Sequence, residues 1–153
     1  PDYTGWGAAL FRVAATGYRV NGAPHVWADL HTEDIAAQGF GDDAGAAALL
    51  LAGTHRDAVG DLNGNGYSDS DVAHEQQNLF HYLTATLAEQ GRSAGTPYWF
   101  IQIHGAADMA SEPDITASNG ADAPGMNIAS PLVLVDDEID TRNNVVSGVW
   151  GWW

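Results

Sequence analysis

Two apolar runs, the second broken only by Gln102, restrict the fold of this chain more than any other feature. Residues 47–53 read AALLLAG, and residues 98–103 read YWFIQI. Runs of this kind, without polar alternation, suit strands buried on both faces, although periodicity alone also allows a helix over 47–53. Gly95-Thr96-Pro97 supplies turn chemistry before the second run. Between the runs, residues 71–90 predict a helix. Val72, Leu79, Phe80, Leu83 and Leu87 form its apolar stripe, Ser70 or Asp71 can cap its start, and Gly91 ends it. Strand, helix and strand in alternation predict an α/β fold with a mostly parallel sheet covered by helices.

The remaining elements are shorter. Residues 8–15 read as a strand. Thr16-Gly17 and Asn21-Gly22 are turn signals that predict a hairpin around residues 18–20. Residues 33–38 can form a short helix capped by Thr32 and ending near Gly39. Ile115–Ala117 and residues 131–135 (PLVLV) add strand candidates. A length of 153 residues without repeat or linker predicts one domain over 1–153, as a mature chain or as a segment of a longer one.

Charge excludes whole classes of partner. Twenty Asp and Glu stand against five cations, all Arg, for a net charge of −15. Phosphate neutralisation needs clustered Lys or Arg, so nucleic acid is not an expected partner, and anionic membrane surfaces are disfavoured for the same reason. No apolar stretch is long enough to span a bilayer. Cysteine is absent, which removes disulfides, thiol catalysis and Cys-bound zinc. The Asp-rich, Lys-free composition fits an extracellular or salt-adapted protein, with codon bias as the plainer explanation.

The six histidines are informative by position. His55 follows the first apolar run and His104 the second. In a parallel sheet both emerge on one edge, where ligands gather, and the segment His25, Asp29, His31, Glu33 can join them. Zinc takes His nitrogen and carboxylate oxygen and keeps a position open for water, whose pKa it lowers. His25 and His104 with Asp29 or Glu33 make such a set. A single strand-end histidine is more often a hydrogen-bonded structural residue. The HExxH motif is absent, since His74-Glu75 continues as Gln76-Gln77-Asn78. His74 and His81 lie roughly 10 Å apart on one helical face and cannot share an ion. His74 is the site candidate of the two, and His81 reads as a surface residue. Arg56, beside His55, can hold a substrate carboxylate or simply pair with Asp57.

Residues 61–71 spell a calcium-type loop. Asp61, Asn63, Asn65 and Asp69 stand at positions 1, 3, 5 and 9, Gly66 at 6, and the Tyr67 carbonyl at 7. Position 12 is Val72 rather than Glu, and Asp71 can substitute. A metal-free Asx and glycine turn is the alternative.

In order along the chain, Ala23-Pro24-His25 with Asp29 and Thr32-Glu33-Asp34-Ile35-Ala36, then Gly53-Thr54-His55-Arg56-Asp57, Asp71-Val72-Ala73-His74 and Ile103-His104-Gly105 resemble bacterial zinc amidohydrolases of the poly-γ-glutamate hydrolase and N-formylglutamate amidohydrolase kind. The resemblance covers roughly residues 5–110. It implies a carboxypeptidase-like, three-layer α/β/α sandwich and zinc on His25, His104 and Asp29 or Glu33. It also implies a substrate site lined by His55, Arg56 and His74, acting on a small peptide-like or amide substrate. The late catalytic carboxylate of carboxypeptidase-like enzymes has no clear counterpart, Glu112 and Glu138 being weak ones. That gap keeps a second expectation open: a non-catalytic, calcium-stabilised extracellular protein that self-associates. Trp150, Trp152 and Trp153 leave room for a third, sugar binding.

Overall fold

The computed structural model describes residues 7–105, with the strand backbones of 115–117 and 147–149. The chain divides into two compact units, Pro1–Ala106 and Ala107–Trp153. The first contains β1 (Ala8–Phe11), β2 (Arg19–Ala23), α1 (Thr32–Asp42), β3 (Ala46–Leu51), α2 (Leu79–Ser93) and β4 (Trp99–Gln102). Its four strands form one sheet in the order β1-β3-β2-β4. β2 is parallel to both β3 and β4, and β1 is antiparallel to β3. In the second unit, β5 (Ile115–Ala117) pairs in parallel with β6 (Ser147–Val149). The strand expected over 131–135, the terminal tryptophans, Glu112 and Glu138 lie outside the described residues. The α/β class expected from the sequence is therefore present, as a mixed sheet of four strands with two helices.

The faces of the sheet follow the two-residue pleat. Val20, Ala48 and Leu50 pack with Phe80 and Leu87 of α2. Ala23 and Leu49, of the opposite parity, pack with Ala36 of α1. β3 is largely buried, as its apolar run predicts. β4 instead occupies a sheet edge, with Trp99 62% and Ile101 43% exposed, so the second run is not a buried one.

Three local expectations change. β1 and β2 do not form a hairpin, because β3 lies between them. Turn residues mark where a chain bends, whereas the strand with two apolar faces takes the interior position. Asn21-Gly22 is inside β2: the Asn21 amide donates to Ala36 O at 3.1 Å, and a Cβ on Gly22 would lie 3.1 Å from the Phe80 ring. The second change is in α1, which runs on through Gly39. A Cβ there would sit 2.9 Å from Asn21 Nδ2, so this glycine serves close packing rather than termination. Thr32 is the helix's first residue rather than its cap. The third is α2, which runs from Leu79 to Ser93, so it neither starts at residue 71 nor ends at Gly91. Asn78 caps it, accepting from His81 N at 2.7 Å. Glu75 and Gln76 interrupt the stripe one turn after Val72, so residues 71–78 fold as turns that engage polar partners.

These connections place the site. From β2 the chain passes through α1 to β3 on one side, and from β3 through α2 to β4 on the other. The carboxyl ends of β2 and β4 flank the point where the winding reverses, the place where ligands bind in open α/β sheets.

Candidate metal centre

Beyond β2, the His25 carbonyl accepts from Ala28 N and Asp29 N at 2.9 and 2.8 Å. This turn returns the Asp29 carboxylate to its own start, with Asp29 Oδ2 3.2 Å from His25 Nδ1. Both residues are buried. From the end of β4, Gly105 N donates to Asp29 Oδ2 at 2.9 Å. A Cβ on Gly105 would stand 3.0 Å from Asp29 Cβ, so only glycine lets the strand end approach this closely. The His104 ring stands edge-on to His25 at a centroid distance of 5.0 Å, and its Nδ1 is 3.9 Å from Asp29 Oδ2. One ligand atom from each of His25, Asp29 and His104 thus lies within 4.8 Å of the others.

A second group shares His25. Asp71 Oδ1 is 2.9 Å from His25 Nε2, and Asp71 Oδ2 is 2.9 Å from His74 Nδ1. His25, Asp71 and His74 also meet the 4.8 Å limit. His74 stacks on Tyr67 at 4.4 Å, with the rings within 6° of parallel. Burial pushes the Asp71 carboxyl up, but hydrogen bonds and charge from His25 and His74 outweigh it and hold the group below its ordinary value. Burial pushes the His104 imidazole down, with His25 adding to the effect and the charges of Asp29 and Asp71 opposing it. A lowered value favours the neutral ring, the form that ligates metals.

The other expected site residues divide. Arg56 Nη1 approaches Asp29 Oδ1 at 4.0 Å while its Nε is 4.0 Å from Asp57, so the site contact and the local pair coexist. His55 emerges on the same sheet edge, but its Nδ1 accepts from Asp57 N at 3.1 Å and it joins neither group. Glu33 stands in the first turn of α1, outside both groups, with Oε2 buried and without a hydrogen-bond partner. Among the described residues, Asp29 is therefore the carboxylate that meets His25 and His104. His31 is exposed and faces Asp34.

Arg56 and Asp71 sit on the two legs of one loop. Ser70 Oγ donates to Arg56 O at 2.8 Å and accepts from Val59 N at 2.9 Å, and Ser68 Oγ donates to Val59 O. Stapled at its base in this way, the loop has the form of a compact Ω-loop. At its tip, Asp61 Oδ1 accepts from Gly64 N and Asn65 N at 2.6 and 3.1 Å, and Oδ2 accepts from Gly66 N at 2.8 Å. Asp69 Oδ1 accepts from Leu62 N at 3.2 Å, and Asn65 Oδ1 from Tyr67 N at 2.9 Å. Gly66 has φ 92, a turn that only glycine makes cheaply. Asp71, expected to complete this loop, instead has both oxygens committed to His25 and His74. The carboxylate that reaches back to the tip is Glu75, whose Oε2 accepts from Asn63 and Asn65 amides at 2.6 and 3.0 Å. Hydrogen bonds from the Gln77 backbone and Asn63 hold Glu75 below its ordinary value against burial. Neither role follows from the calcium-loop pattern, whose position 12 is Val72, three residues short of Glu75.

Two imidazoles and one carboxylate, from the turn after β2 and the end of β4, fit the donor set of a catalytic zinc site. No family model, curated protein or solved structure matches the chain. No helix among the described residues is long and apolar enough to cross a membrane.

Proposed function

We propose that the chain is an extracytoplasmic, zinc-dependent hydrolase of an amide bond near a carboxylate. In this reading its sheet and helices belong to a three-layer, carboxypeptidase-like sandwich related to the poly-γ-glutamate hydrolase and N-formylglutamate amidohydrolase families. The observation that carries the reading is the meeting of His25, Asp29 and His104 at the carboxyl ends of β2 and β4. Those three residues would hold the ion. Zinc, when bound, polarises a carbonyl and makes water nucleophilic near neutral pH. Arg56 offers a planar guanidinium beside the centre for a substrate carboxylate. Its guanidinium is partly exposed, with 44% of the side chain accessible, and so open to a ligand. His74 presents Nε2 while Asp71 holds Nδ1, and His55 lines the same edge. Calcium at Asp61, Asn63, Asn65, Tyr67 and Asp69, with Glu75 folded back onto the tip, would rigidify the loop that bears Arg56 and Asp71.

Metal analysis of the purified protein tests the reading. Near one zinc per chain, lost together with amide hydrolysis in His104→Ala, is the expected result. No zinc, or activity untouched by His104→Ala, overturns it.

A second reading is a calcium-stabilised extracellular protein that self-associates without turnover. The two sheet edges favour it, since Leu10, Phe11, Trp99 and Ile101 are each 43% or more exposed on β1 and β4. Polymers that dissociate in EDTA and contain no zinc would support it over the first.

A further inference from the structure

We infer that Asp71 is the positioning carboxylate of the metal centre, orienting His25 and His74 at once from the leg of the Ω-loop. The inference rests on the metal reading above and assigns Asp71 a place in it.

The His25 ring is held from both sides. It is 3% exposed and has a carboxylate at each nitrogen, Asp29 on Nδ1 and Asp71 on Nε2. One ring nitrogen can face the ion while the other is held from outside, and a metal-bound histidine usually donates that second N–H to a carboxylate or carbonyl. Two arrangements satisfy this rule. Either the ion lies with Asp29 and His104 and Asp71 is the outer partner, or it lies with Asp71 and His74 and Asp29 is the outer partner. The fold favours the first. Asp29 and His104 follow β2 and β4, whose ends flank the crevice. The Gly105 N–H further fixes the Asp29 carboxylate. His74, by contrast, sits on a turn rather than beyond a strand end; exposure does not separate the two, at 48% for His74 and 40% for His104.

With Asp71 as the outer partner, its Oδ1 accepts the His25 Nε2 proton and leaves Nδ1 to face Asp29 and His104. Its Oδ2 accepts from His74 Nδ1 and, with Tyr67 stacked on that ring, leaves His74 Nε2 open for a substrate. Asp71 also bonds its own turn, accepting from Ala73 N at 3.2 Å, so its carboxylate is aimed before any ligand arrives. One side chain thereby ties metal capture to the group that meets the substrate.

The test is titration of the full chain with zinc, and with cobalt(II) followed by its visible absorption. Asp71→Asn is expected to weaken zinc binding about 10–100-fold and to change the cobalt spectrum. His74→Ala should leave zinc affinity within about twofold, and His104→Ala should abolish binding. Wild-type affinity in Asp71→Asn overturns the inference. A loss in His74→Ala as large as that in His104→Ala also overturns it, because Asp71 is then a ligand. Failure of the unsubstituted protein to bind zinc or cobalt overturns the metal reading itself. Should Asp71→Asn fail to fold, long-range 1H–15N spectra of the zinc-loaded wild type decide: the His25 ring proton belongs on Nε2, and a proton on Nδ1 is the overturning result.

Discussion

Asp71 Oδ1 stands 2.9 Å from His25 Nε2 although 46 residues separate them in the chain. The contact joins the end of a parallel strand to the leg of a loop. Neither segment has a regular period there, so the pair exists only because β2 and the Ω-loop base meet at one sheet edge.

Gly105→Ala tests how closely the β4 end must approach Asp29. The added methyl would lie 3.0 Å from Asp29 Cβ and 3.2 Å from Cγ. We expect zinc affinity to fall about tenfold or more as the carboxylate is displaced, with a stability loss of about 1–3 kcal/mol. Calorimetric titration and thermal melting measure the two effects separately.

Acid stability of the EDTA-treated protein should fall in two steps. His104 has a lowered value in the fold, so the unfolded chain binds its proton first, and stability declines as pH drops below about 6.5. Asp71 is also lowered, so its contribution is complete above the unfolded value of about 3.9 and is lost as pH falls through the folded one. Denaturant midpoints across pH 2–8 (roughly the range of both groups) should show both declines, the lower one flattened in Asp71→Asn.

Arg56→Ala should spare zinc stoichiometry and weaken binding of a carboxylate probe such as glutamate. Loss of a charge-assisted hydrogen bond costs about 1.5–3 kcal/mol, or roughly 10–100-fold in affinity. Arg56→Lys should recover only part, because an ammonium lacks the planar fork. Equal glutamate affinity in all three proteins would remove Arg56 from the site.

Calcium should protect the loop tip. Limited proteolysis of the wild type is expected to slow between residues 60 and 76 when calcium replaces EGTA, since bound cation orders the Asp61 and Asn63 turn. Glu75→Gln should lose most of that protection because Glu75 is the carboxylate that reaches the tip. Identical digestion rates with and without calcium would mark the loop as a metal-free Asx turn.

The start of α2 can be probed without touching the site. Asn78→Ala removes the acceptor for His81 N and should cost about 1 kcal/mol. Phe80→Ala, which empties the space over Gly22, should cost about 3–5 kcal/mol. Urea unfolding with unchanged zinc content checks both.

Some of this architecture is local and could be read from residue order alone. The 47–53 run specifies β3 because side chains apolar on both faces tolerate no solvent. The 79–87 stripe specifies α2 by its period, and the spacing of Asp61, Asn63, Asn65 and Gly66 specifies a tight polar turn. His104 is legible as a strand-end residue with ligating chemistry, and His25 with Asp29 or Glu33 as ligating residues of a loop, but β2, whose end carries His25, is not legible because Asn21-Gly22 reads as a turn. Tertiary structure decided what depends on contacts between distant segments. It set β3 between β1 and β2, chose Asp29 over Glu33, moved the start of α2 to Leu79 behind an Asn78 cap, and turned Asp71 from the loop tip to His25. Local patterns report which surfaces must be buried or bent. Which buried surfaces and polar groups meet is settled only when distant segments pack together, because Asp29 and Asp71 then reach the donors that offset their burial.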